Sequence, residues 1–356
     1  MNIVTASIKQ RLLIVGYGAE YHVGAHFYQA ALQMGLDVQL FDASQSSRAP
    51  ALIQRLNWRL RNHRPTRLDR FSQELVEHCS EFIPDIVLVT GMTPPNAVAL
   101  ATLETMGIRC VNFLTDDPWN KEHQSRWFFE ALPNYTHIFS PRKSNLNDLA
   151  NLDCQASYLP FAYNPAIHFI EFPPPEVAKG FQCDVLFYGG ADKDRVPYIE
   201  ALIEAGINVH LYGGYWDRHP KTRSSWRGMA NPQMLRWAVS SAKITLCLVR
   251  RANRDGHVMR TFEAPAMGAC MLVERTDEHN QLLGGEEQSA MYFESHEQMV
   301  EQAQWLLANE HQRLILKEQV MNHIVSTNNT YFDRLQSILS TTSLIGFGLP
   351  APKIGS

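Results

Sequence analysis

An arginine and a glutamate stand three positions apart where residues 260–269 read RTFEAPAMGA. An apolar run at residues 270–273 follows and is typical of a buried strand. The pattern predicts a short helix that ends at a glycine and leads into a strand, so that its polar start lies at the carboxyl edge of a sheet. At such an edge the Glu263 carboxylate can accept hydrogen bonds from two ribose hydroxyls, and the Arg260 guanidinium can bind a phosphate.

Glycine turns follow two earlier strand patterns in the same half of the chain. Residues 183–188 lead into Gly189-Gly190, and residues 208–212 lead into Gly213-Gly214. Glycines let backbone N–H groups approach phosphate oxygens closely, and the start of a following helix favours an anion. Arg195, which stands beyond the first turn, adds a forked donor.

The first half of the chain offers two adjacent carboxylates. Asp116 and Asp117 follow a strand pattern at residues 109–115 and precede Pro118. A carboxylate at the carboxyl end of a strand can orient a substrate hydroxyl, or act as a base when desolvation raises its pKa. The other interpretation is that the pair caps a helix that begins near Pro118.

A glycine turn also ends the first strand pattern, at Gly16-Tyr17-Gly18. Tyr21 stands where a dinucleotide-binding fingerprint has its third glycine, while Asp42 ends the second strand, where a ribose-binding acid would lie. An NAD-type oxidoreductase is therefore an alternative. His22 and His26 follow the turn at helical spacing, and either they line a cleft or they are solvated or helix-capping residues.

Composition limits the fold and the partners. With 356 residues, of which 45% are hydrophobic, the chain is expected to form two domains. A formal net charge of −4 argues against a nucleic-acid binder that acts through overall positive charge. Six dispersed cysteines indicate reduced thiols without a disulfide framework or a CxxC site. We find no signal-peptide core and no run of about 18 apolar residues, so we predict a cytoplasmic protein.

The order of the patterns predicts an α/β protein with two Rossmann-like domains. Residues 1–165 alternate strands and helices as in a doubly wound parallel sheet. The same alternation starts again after a proline-rich linker and continues to residue 330. We predict domains at 1–165 and 166–330, with 331–356 as a C-terminal helix and tail that returns to the N-terminal domain. In such a pair, the carboxyl edges of both sheets face one cleft.

The succession of motifs resembles a GT-B glycosyltransferase. The second half is similar to the nucleotide-sugar domain of glycosyltransferase family 4, and more closely to CgeB-like (spore maturation protein type) glycosyltransferases. The resemblance rests on the two glycine turns and on the start of the helix at 260–269, and it extends over residues 10–340. It implies that the donor binds at Gly189, Gly190, Arg195, Tyr212, Gly213, Arg260, Thr261 and Glu263.

Two segments differ from the family 4 pattern. Asp255 stands eight positions before Glu263, where family 4 has a second glutamate, and with His257 it lies in a loop that is more similar to CgeB-like sequences. Asp116 stands where family 4 has the histidine of a His-Asp pair. The resemblance implies that Asp255 and His257 contact the donor and that Asp116 and Asp117 are catalytic. Residues on the acceptor side of the cleft are then Gly16, Gly18 and His22.

The predicted activity is transfer of a sugar from a nucleoside-diphosphate sugar to an acceptor hydroxyl, by a hexosyltransferase-type GT-B enzyme. The resemblance implies retention of configuration without a metal or other cofactor, and we interpret the acidic triplet at 192–194 as an accidental match to a metal-binding DxD. The predicted acceptor is a carbohydrate, a lipid-linked group or a protein, within polysaccharide or glycoconjugate biosynthesis. A sugar-nucleotide epimerase of the same fold and a catalytically silent binding module are further alternatives.

The segment from Arg55 to Arg70 contains six arginines interleaved with apolar residues. A basic amphipathic stretch can dock on anionic lipid, which predicts peripheral contact with a membrane. The alternative is a solvated connecting helix, interrupted at Pro65, whose arginines pair with Asp69, Glu74 or Glu77.

Overall fold

Apolar strands alternate with helices along most of the chain, and in the computed structural model they form two parallel sheets. The structure describes residues 10–285 and 289–346. These residues divide into two compact units. The first contains residues 10–160 and 331–346, and the second contains residues 161–285 and 289–330.

The first unit is built around a parallel sheet. Its strands within residues 10–160 are β1 Arg11–Gly16, β2 Asp37–Asp42, β3 Ile86–Thr90, β4 Arg109–Phe113, β5 His137–Ser140 and β6 Ala156–Tyr158. They lie in the order β2-β1-β3-β4-β5-β6. The helices of this stretch are α1 Val23–Gln33, α2 Ala51–Leu60, α3 Leu68–Phe82, α4 Ala97–Thr105, α5 Arg126–Ala131 and α6 Ser144–Ala150. Strands β1 and β3 are buried throughout except at Arg11, as expected where helices cover both faces of a parallel sheet.

The second unit repeats this plan. Its strands in the described residues are β7 Cys183–Tyr188, β8 Val209–Tyr212, β9 Ala242–Cys247, β10 Met271–Glu274 and β11 Met291–Phe293, in the order β11-β10-β9-β7-β8. Its helices there are α7 Pro175–Ala178, α8 Val196–Glu204, α9 Pro232–Ser241, α10 Arg260–Ala266, α11 Asp277–Leu283, α12 His296–Ala308 and α13 Glu310–Val325.

Both sheets change direction at equivalent places. Counted from the start of each unit, the second strand lies beside the first, and the third to fifth strands follow on the other side. The change of direction therefore falls between β1 and β3 in one sheet and between β7 and β9 in the other. Ligands of open α/β sheets bind outside the carboxyl ends of the strands at such a point.

Helix α14, Tyr331–Gly346, belongs to the first unit and packs against α1. The Tyr331 ring stacks on His26 with centroids 4.9 Å apart, and it meets the Phe27 ring edge to face at 5.1 Å. His26 is 1% exposed, and burial lowers its pKa to about 4. His26 is therefore an uncharged core residue, and the solvated or capping alternative is wrong for it.

Most predicted strands and helices are confirmed, but helices α3 and α9, which have 15 and 10 residues, were not predicted. Strands β6 and β11 were not predicted, because three residues are too few to carry a recognisable period. No helix begins near Pro118 in the described part of the chain, where α5 starts at Arg126. Residues 117–120 form a turn in which the Asn120 N–H donates to the Asp117 carbonyl at 3.0 Å. The helix-capping alternative for the two aspartates is therefore wrong.

All six cysteines are buried free thiols, as predicted. Burial raises the pKa of the Cys79 and Cys183 thiols to about 12, so both are protonated at neutral pH. Within residues 10–285 and 289–346, no helix combines the length and the apolar character needed to span a bilayer.

Candidate functional site

Most residues predicted to bind a donor lie at the carboxyl edge of the second unit's sheet. Strands β7, β8 and β9 end there at Tyr188, Tyr212 and Cys247, and a contact from Arg260 to the end of β7 places the start of α10 beside them. Since β7 and β9 are neighbours, this edge contains the point where the strand order changes direction. We use the name β7–β9 edge for the residues that follow these three strands and for the first turn of α10. It comprises Gly189, Gly190, Arg195, Gly213, Arg250, Asp255 and residues 260–263.

Two glycine turns at the β7–β9 edge pack directly on one another. The Gly189 N–H donates to the Tyr212 carbonyl at 2.8 Å. The φ angle is +141° at Gly189 and +127° at Gly213, and a Cβ on Gly213 would overlap the Gly189 carbonyl group. Glycine is required at both positions, because the backbone angle and the close approach both exclude a side chain.

Two tryptophans that belong to no sequence motif hold these turns. The Trp216 indole N–H donates to the Gly189 carbonyl, and the Trp226 indole N–H donates to the Gly213 carbonyl, both at 2.8 Å. Trp216 is fully buried, so its bond is shielded from water. The two indoles fix the directions of the turn carbonyls. No spacing in the sequence points to these residues, since each indole reaches its turn only through the fold.

Arg260 links the ends of β7 and β9. Its Nη2 donates to the Tyr188 carbonyl and its Nη1 to the Leu248 carbonyl, the latter at 3.5 Å. The guanidinium lies 4.4 Å from the centroid of the Phe187 ring and 4.7 Å from that of Tyr188, and the residue is 6% exposed. A Cβ on Gly189 would lie 2.8 Å from Arg260 Nη2. The glycine turn therefore also lets the guanidinium lie against the backbone.

Arg195 places a second buried cation at the β7–β9 edge. The residue is 6% exposed, and its Nη1 donates to the Gly190 carbonyl at 3.4 Å. Burial lowers the pKa of Arg195 to about 10, and the charge of Arg260 adds to this effect. The carboxylates of Asp192 and Asp255 oppose it. Arg195 is therefore protonated at neutral pH, and the two guanidiniums together favour an anionic group such as a diphosphate.

The first carboxylate of the acidic triplet at 192–194 organises these cations. Asp192 Oδ1 accepts the N–H groups of Asp194 and Arg195, at 3.0 and 2.9 Å. Its Oδ2 lies 3.5 Å from Arg195 Nε and 3.9 Å from Arg250 Nε. Arg250 is thus a further cation of the edge, and it was not predicted from the sequence. Its only sequence signal is a basic residue soon after a strand that ends at the edge.

Glu263 lies one helical turn after Arg260 and is 7% exposed. Its Oε1 is 3.7 Å from His168 Nε2, which is too long for a hydrogen bond. His168 Nδ1 accepts the Asn164 N–H at 3.0 Å, so a neutral ring carries its proton on Nε2, toward Glu263. Burial raises the pKa of Glu263 to about 7, and the charge of Arg260 opposes this rise. Near neutral pH this carboxyl group is therefore divided between its two protonation states.

Replacing Glu263 with glutamine is expected to remove a pH-dependent loss of stability. The folded protein keeps the Glu263 proton up to about pH 7, whereas the unfolded chain releases it near its ordinary pKa, so the wild-type free energy of unfolding falls as pH rises between these values. Between these pH values the free energy of unfolding of wild type should fall by about 3 kcal/mol more than that of Glu263→Gln. Urea unfolding of wild type and Glu263→Gln at about pH 5 and about pH 8 measures it. Parallel pH profiles for the two proteins would contradict the buried carboxyl group.

The loop between β9 and α10 is fastened by carboxylates. Val249 N–H donates to Glu274 Oε2 at 3.0 Å, and Arg251 Nη2 donates to Glu274 Oε1 at 2.7 Å. The Arg250 N–H donates to Asp255 Oδ2 at 3.3 Å. Asp255 therefore closes the loop from within and adds a negative charge to the cation cluster. Its contact with a donor stays a prediction.

His257 is buried within the second unit. Its Nε2 accepts the Phe161 N–H at 3.2 Å, so its Nδ1–H donates to Glu278 Oε2, which lies 2.7 Å away. A Cβ on Gly256 would overlap the Glu278 carboxyl group, so the glycine lets this pair approach the loop backbone. Both ring nitrogens bind groups of the protein. The geometry gives His257 a positioning role, and a donor contact stays a prediction.

Thr261, also predicted to contact a donor, is fully buried. Its Oγ1 accepts the Val258 N–H at 3.2 Å and lies 3.0 Å from His279 Nε2. His279 donates from Nδ1 to the Glu274 carbonyl at 2.7 Å, and burial lowers its pKa to about 4. Its Nε2 therefore accepts the Thr261 hydroxyl proton. These bonds position the start of α10 from inside the unit.

The first unit's sheet has a corresponding carboxyl edge at β1 and β3. Gly16 is buried there, and a Cβ on it would overlap the Thr90 hydroxyl. Gly18 is exposed, and a Cβ on it would lie 3.1 Å from Leu40 Cδ2. Packing of β1 against β3 accounts for the glycine at position 16. An acceptor contact at either glycine stays a prediction.

His22 immediately precedes α1, but its side chain makes no capping hydrogen bond, so the capping alternative is wrong for it. Its ring centroid lies 5.0 Å from that of Tyr17 and 4.5 Å from that of Tyr21. Burial lowers the pKa of His22, and the charge of Asp42 opposes this effect. His22 is therefore a half-buried residue among aromatic rings at the β1 edge.

Asp42 bears on the oxidoreductase alternative. Its Oδ1 accepts the Ser44 N–H at 3.0 Å, and its Oδ2 accepts the Ser44 hydroxyl at 2.6 Å. The acid that this alternative assigns to a ribose is therefore engaged by the turn that follows β2.

The two aspartates after β4 have different surroundings. Asp117 is fully buried, and its Oδ1 accepts the Trp119 N–H at 3.0 Å and the Asn145 side-chain amide at 2.8 Å. Asp116 is half-buried and accepts a hydrogen bond from the Thr115 hydroxyl at 3.3 Å. Asp117 thus fixes the backbone after β4, whereas Asp116 reaches solvent. A catalytic role for either stays a prediction.

Known proteins resemble the chain in sequence over part of its length. A family described as Glycosyl transferase-like matches residues 195–340. This range contains Arg195, Arg260 and Glu263. No curated protein matches the chain.

Solved structures resemble almost the whole chain. Sucrose-phosphate synthase from Thermosynechococcus elongatus is similar with a TM-score of 0.68 at 11% identity, over 95% of this chain and 100% of that one. A glycosyltransferase from Rickettsia africae has a TM-score of 0.63 at 10% identity, over 95% and 99%. The Anabaena protein HepE in complex with UDP and glucose has a TM-score of 0.64 at 11% identity, over 94% and 99%.

At these identities, the similarity to solved structures establishes the fold alone. It confirms the predicted fold class, in agreement with the two parallel sheets and their helices. The chain has the α/β GT-B fold with two Rossmann-like units, and its residues 195–340 are similar to the Glycosyl transferase-like family.

Proposed function

We propose that the protein transfers a sugar from a nucleoside-diphosphate sugar to an acceptor hydroxyl, and that the donor binds at the β7–β9 edge. The observation that carries the proposal is the pair of buried guanidiniums, Arg195 and Arg260, beside the Gly189 turn at the change of strand direction. A diphosphate matches this charge and the forked donors. The similarity of residues 195–340 to a glycosyltransferase-like family, and of the fold to HepE in complex with UDP and glucose, supports the same assignment.

In this proposal the arginines act on the leaving group. When the bond between the sugar and the diphosphate breaks, negative charge grows on the diphosphate oxygens. Cations that are already in place and shielded from water stabilise this charge without further rearrangement. Arg195 and Arg260 are held by carbonyl oxygens before any ligand binds, so they are preorganised for this task. We propose that transfer proceeds in this way without a divalent cation and with retention of configuration.

Glu263 is proposed to hold the donor ribose. Its carboxyl group lies one turn after Arg260, so a donor whose diphosphate meets the arginine presents its ribose to the next turn of α10. Two ribose hydroxyls would donate to the ionised carboxylate, and they would replace part of the solvation that burial removes. Asp255, which lies beside Arg195 and Arg250, is proposed to bind the transferred sugar, and we propose that this sugar is a hexose.

The first unit is proposed to bind the acceptor, which is a carbohydrate, a lipid-linked group or a protein. Asp116 is the candidate for orienting or deprotonating the acceptor hydroxyl, because it reaches solvent at the end of β4. Asp117 is proposed to contribute to catalysis by positioning Asp116, because its hydrogen bonds fix the backbone after β4. Gly16, Gly18 and His22 are the other residues that we assign to the acceptor side.

A thermal-shift screen with UDP, GDP, dTDP and ADP, each alone and as its sugar conjugate, tests the donor assignment. A ligand at 100 times its dissociation constant should add about 2.7 kcal/mol to the free energy of unfolding. Product analysis with the stabilising donor alone then separates an epimerase from a transferase, which needs an acceptor. NADH is included in the same screen. If NADH stabilises the protein and no sugar nucleotide does, the proposal is contradicted and the oxidoreductase alternative is favoured.

A further inference from the structure

Helix α2 of the first unit presents an apolar stripe to solvent. Its Leu52, Leu56 and Leu60 side chains are 78%, 56% and 74% exposed. Because these leucines recur every four positions, they lie along one face of the helix. An exposed apolar row bordered by charged residues marks an interaction surface.

Two arginines border this stripe. Arg55 and Arg59 stand one helical turn apart, both are exposed, and among residues 10–285 and 289–346 neither has an ion-pair partner. They open onto a groove of about 400 Å³ next to α2. The polar side chains that line this groove are Ser47, Gln54, Arg55, Arg59, Arg64 and Thr66.

The structure divides the arginine-rich segment into two parts. Arg64 pairs with Asp69 at 2.5 Å, while Arg67 and Arg70 pair with Glu74 at 3.4 and 2.8 Å. For these three arginines, the paired alternative is confirmed. The charge around α2 is not balanced in this way, because residues 43–73 contain seven arginines and a single acidic residue, Asp69.

We propose that the α2 face, formed by Leu52, Leu56 and Leu60 with Arg55 and Arg59, docks on the surface of an anionic lipid bilayer. The leucines would enter the boundary between headgroups and acyl chains, and the arginines would bind lipid phosphates at the mouth of the groove. Charge and apolarity together select this partner. A nucleic acid matches the arginines but leaves the leucines in water, whereas an anionic bilayer satisfies both.

Co-sedimentation of the full chain with vesicles of phosphatidylcholine, with and without phosphatidylglycerol, tests the proposal. Binding to the anionic vesicles should be at least about 10-fold stronger and should weaken with added salt. Charge reversal by Arg55→Glu with Arg59→Glu should weaken binding about 30-fold or more, since each arginine near an anionic surface contributes about a fivefold gain. Leu52→Ser with Leu56→Ser should weaken it about 10-fold at unchanged charge.

Lys121→Glu with Lys179→Glu is the matched control, because it changes the net charge equally at exposed positions outside α2. It should bind anionic vesicles within about 2-fold of wild type. Equal binding of wild type to neutral and anionic vesicles would overturn the proposal, and so would unchanged binding of the α2 variants. If a single-stranded RNA binds as tightly as the vesicles and the serine variant keeps that binding, the face is a nucleic-acid site instead. None of these substitutions lies at the β7–β9 edge. A negative result for membrane binding would therefore not contradict the proposed donor site.

Discussion

Replacing Arg260 with lysine should lower kcat/KM for sugar transfer at least about 100-fold and should remove most of the stabilisation by the donor nucleotide. Lysine keeps the positive charge, but it lacks the planar fork that reaches the carbonyls of Tyr188 and Leu248 together. Without both bonds the cation is no longer held at the change of strand direction. The loss should appear in both KM and kcat, because the donor diphosphate binds more weakly and because stabilisation of the leaving diphosphate grows as its bond to the sugar breaks.

Arg313→Lys is the matched control for this substitution. Arg313 lies in the same unit, and its Nη1 also donates to two backbone carbonyls, those of Leu306 at 2.5 Å and Leu307 at 3.0 Å. It fastens α12 to α13 and takes no part in the β7–β9 edge. We expect this variant to keep donor stabilisation and to lose at most about 1 kcal/mol of unfolding free energy. Full transfer activity in Arg260→Lys would remove the arginine from the proposed mechanism.

Replacing Gly213 with alanine should destabilise the second unit by about 4 kcal/mol. The φ angle of +127° is strained for any residue with a Cβ, and such strain costs about 1–3 kcal/mol. The new Cβ would also overlap the Gly189 carbonyl, so one of the two turns must move, at a cost of about 1–3 kcal/mol. Movement of either turn breaks an indole hydrogen bond, from Trp216 or from Trp226. Urea unfolding followed by tryptophan fluorescence measures the change.

Gly214→Ala is the control at the next position. A Cβ on Gly214 would have no heavy atom within 4 Å, and its backbone lies outside the positive-φ region. We expect this variant to stay within about 0.5 kcal/mol of wild type. If alanine at 213 is tolerated as well as alanine at 214, the two turns do not pack as closely as the structure has them, and the phosphate-binding geometry proposed for the edge loses its basis.

The longer strands of the fold could be predicted from the sequence, whereas helix α3 was not predicted although its 15 residues are enough to carry a period. Strands β1, β3 and β7 are continuous apolar runs between glycine or charged residues, and such runs specify buried parallel strands without knowledge of their neighbours. Strands β6 and β11 were not predicted, because three residues are too few to carry a period. Their existence depends on β5 and β10, which offer an unpaired edge only after the sheet has formed.

The candidate site could be predicted in part for a similar reason. Arg260 and Glu263 lie on one short helix, and a strand pattern leads into Gly189, so their common edge follows from local order along the chain. The directions of His257 and Thr261 do not follow from it. Both were predicted to contact the donor. In the structure, His257 instead forms a hydrogen bond with Glu278, and Thr261 forms one with His279, inside the unit.

The sequence by itself determined the longer apolar strands, the turns that require glycine and the helix that begins with Arg260, because apolar period and backbone angle act within a few residues. Only the tertiary structure decided which side chains reach the β7–β9 edge and which stabilise that edge through hydrogen bonds inside the unit. The bond from Trp216 to Gly189 spans 27 positions. Within the arginine-rich segment, Arg67 pairs with Glu74, whereas Arg55 has no ion-pair partner among residues 10–285 and 289–346. Such partners are chosen by packing and desolvation between residues that meet only when the chain is folded.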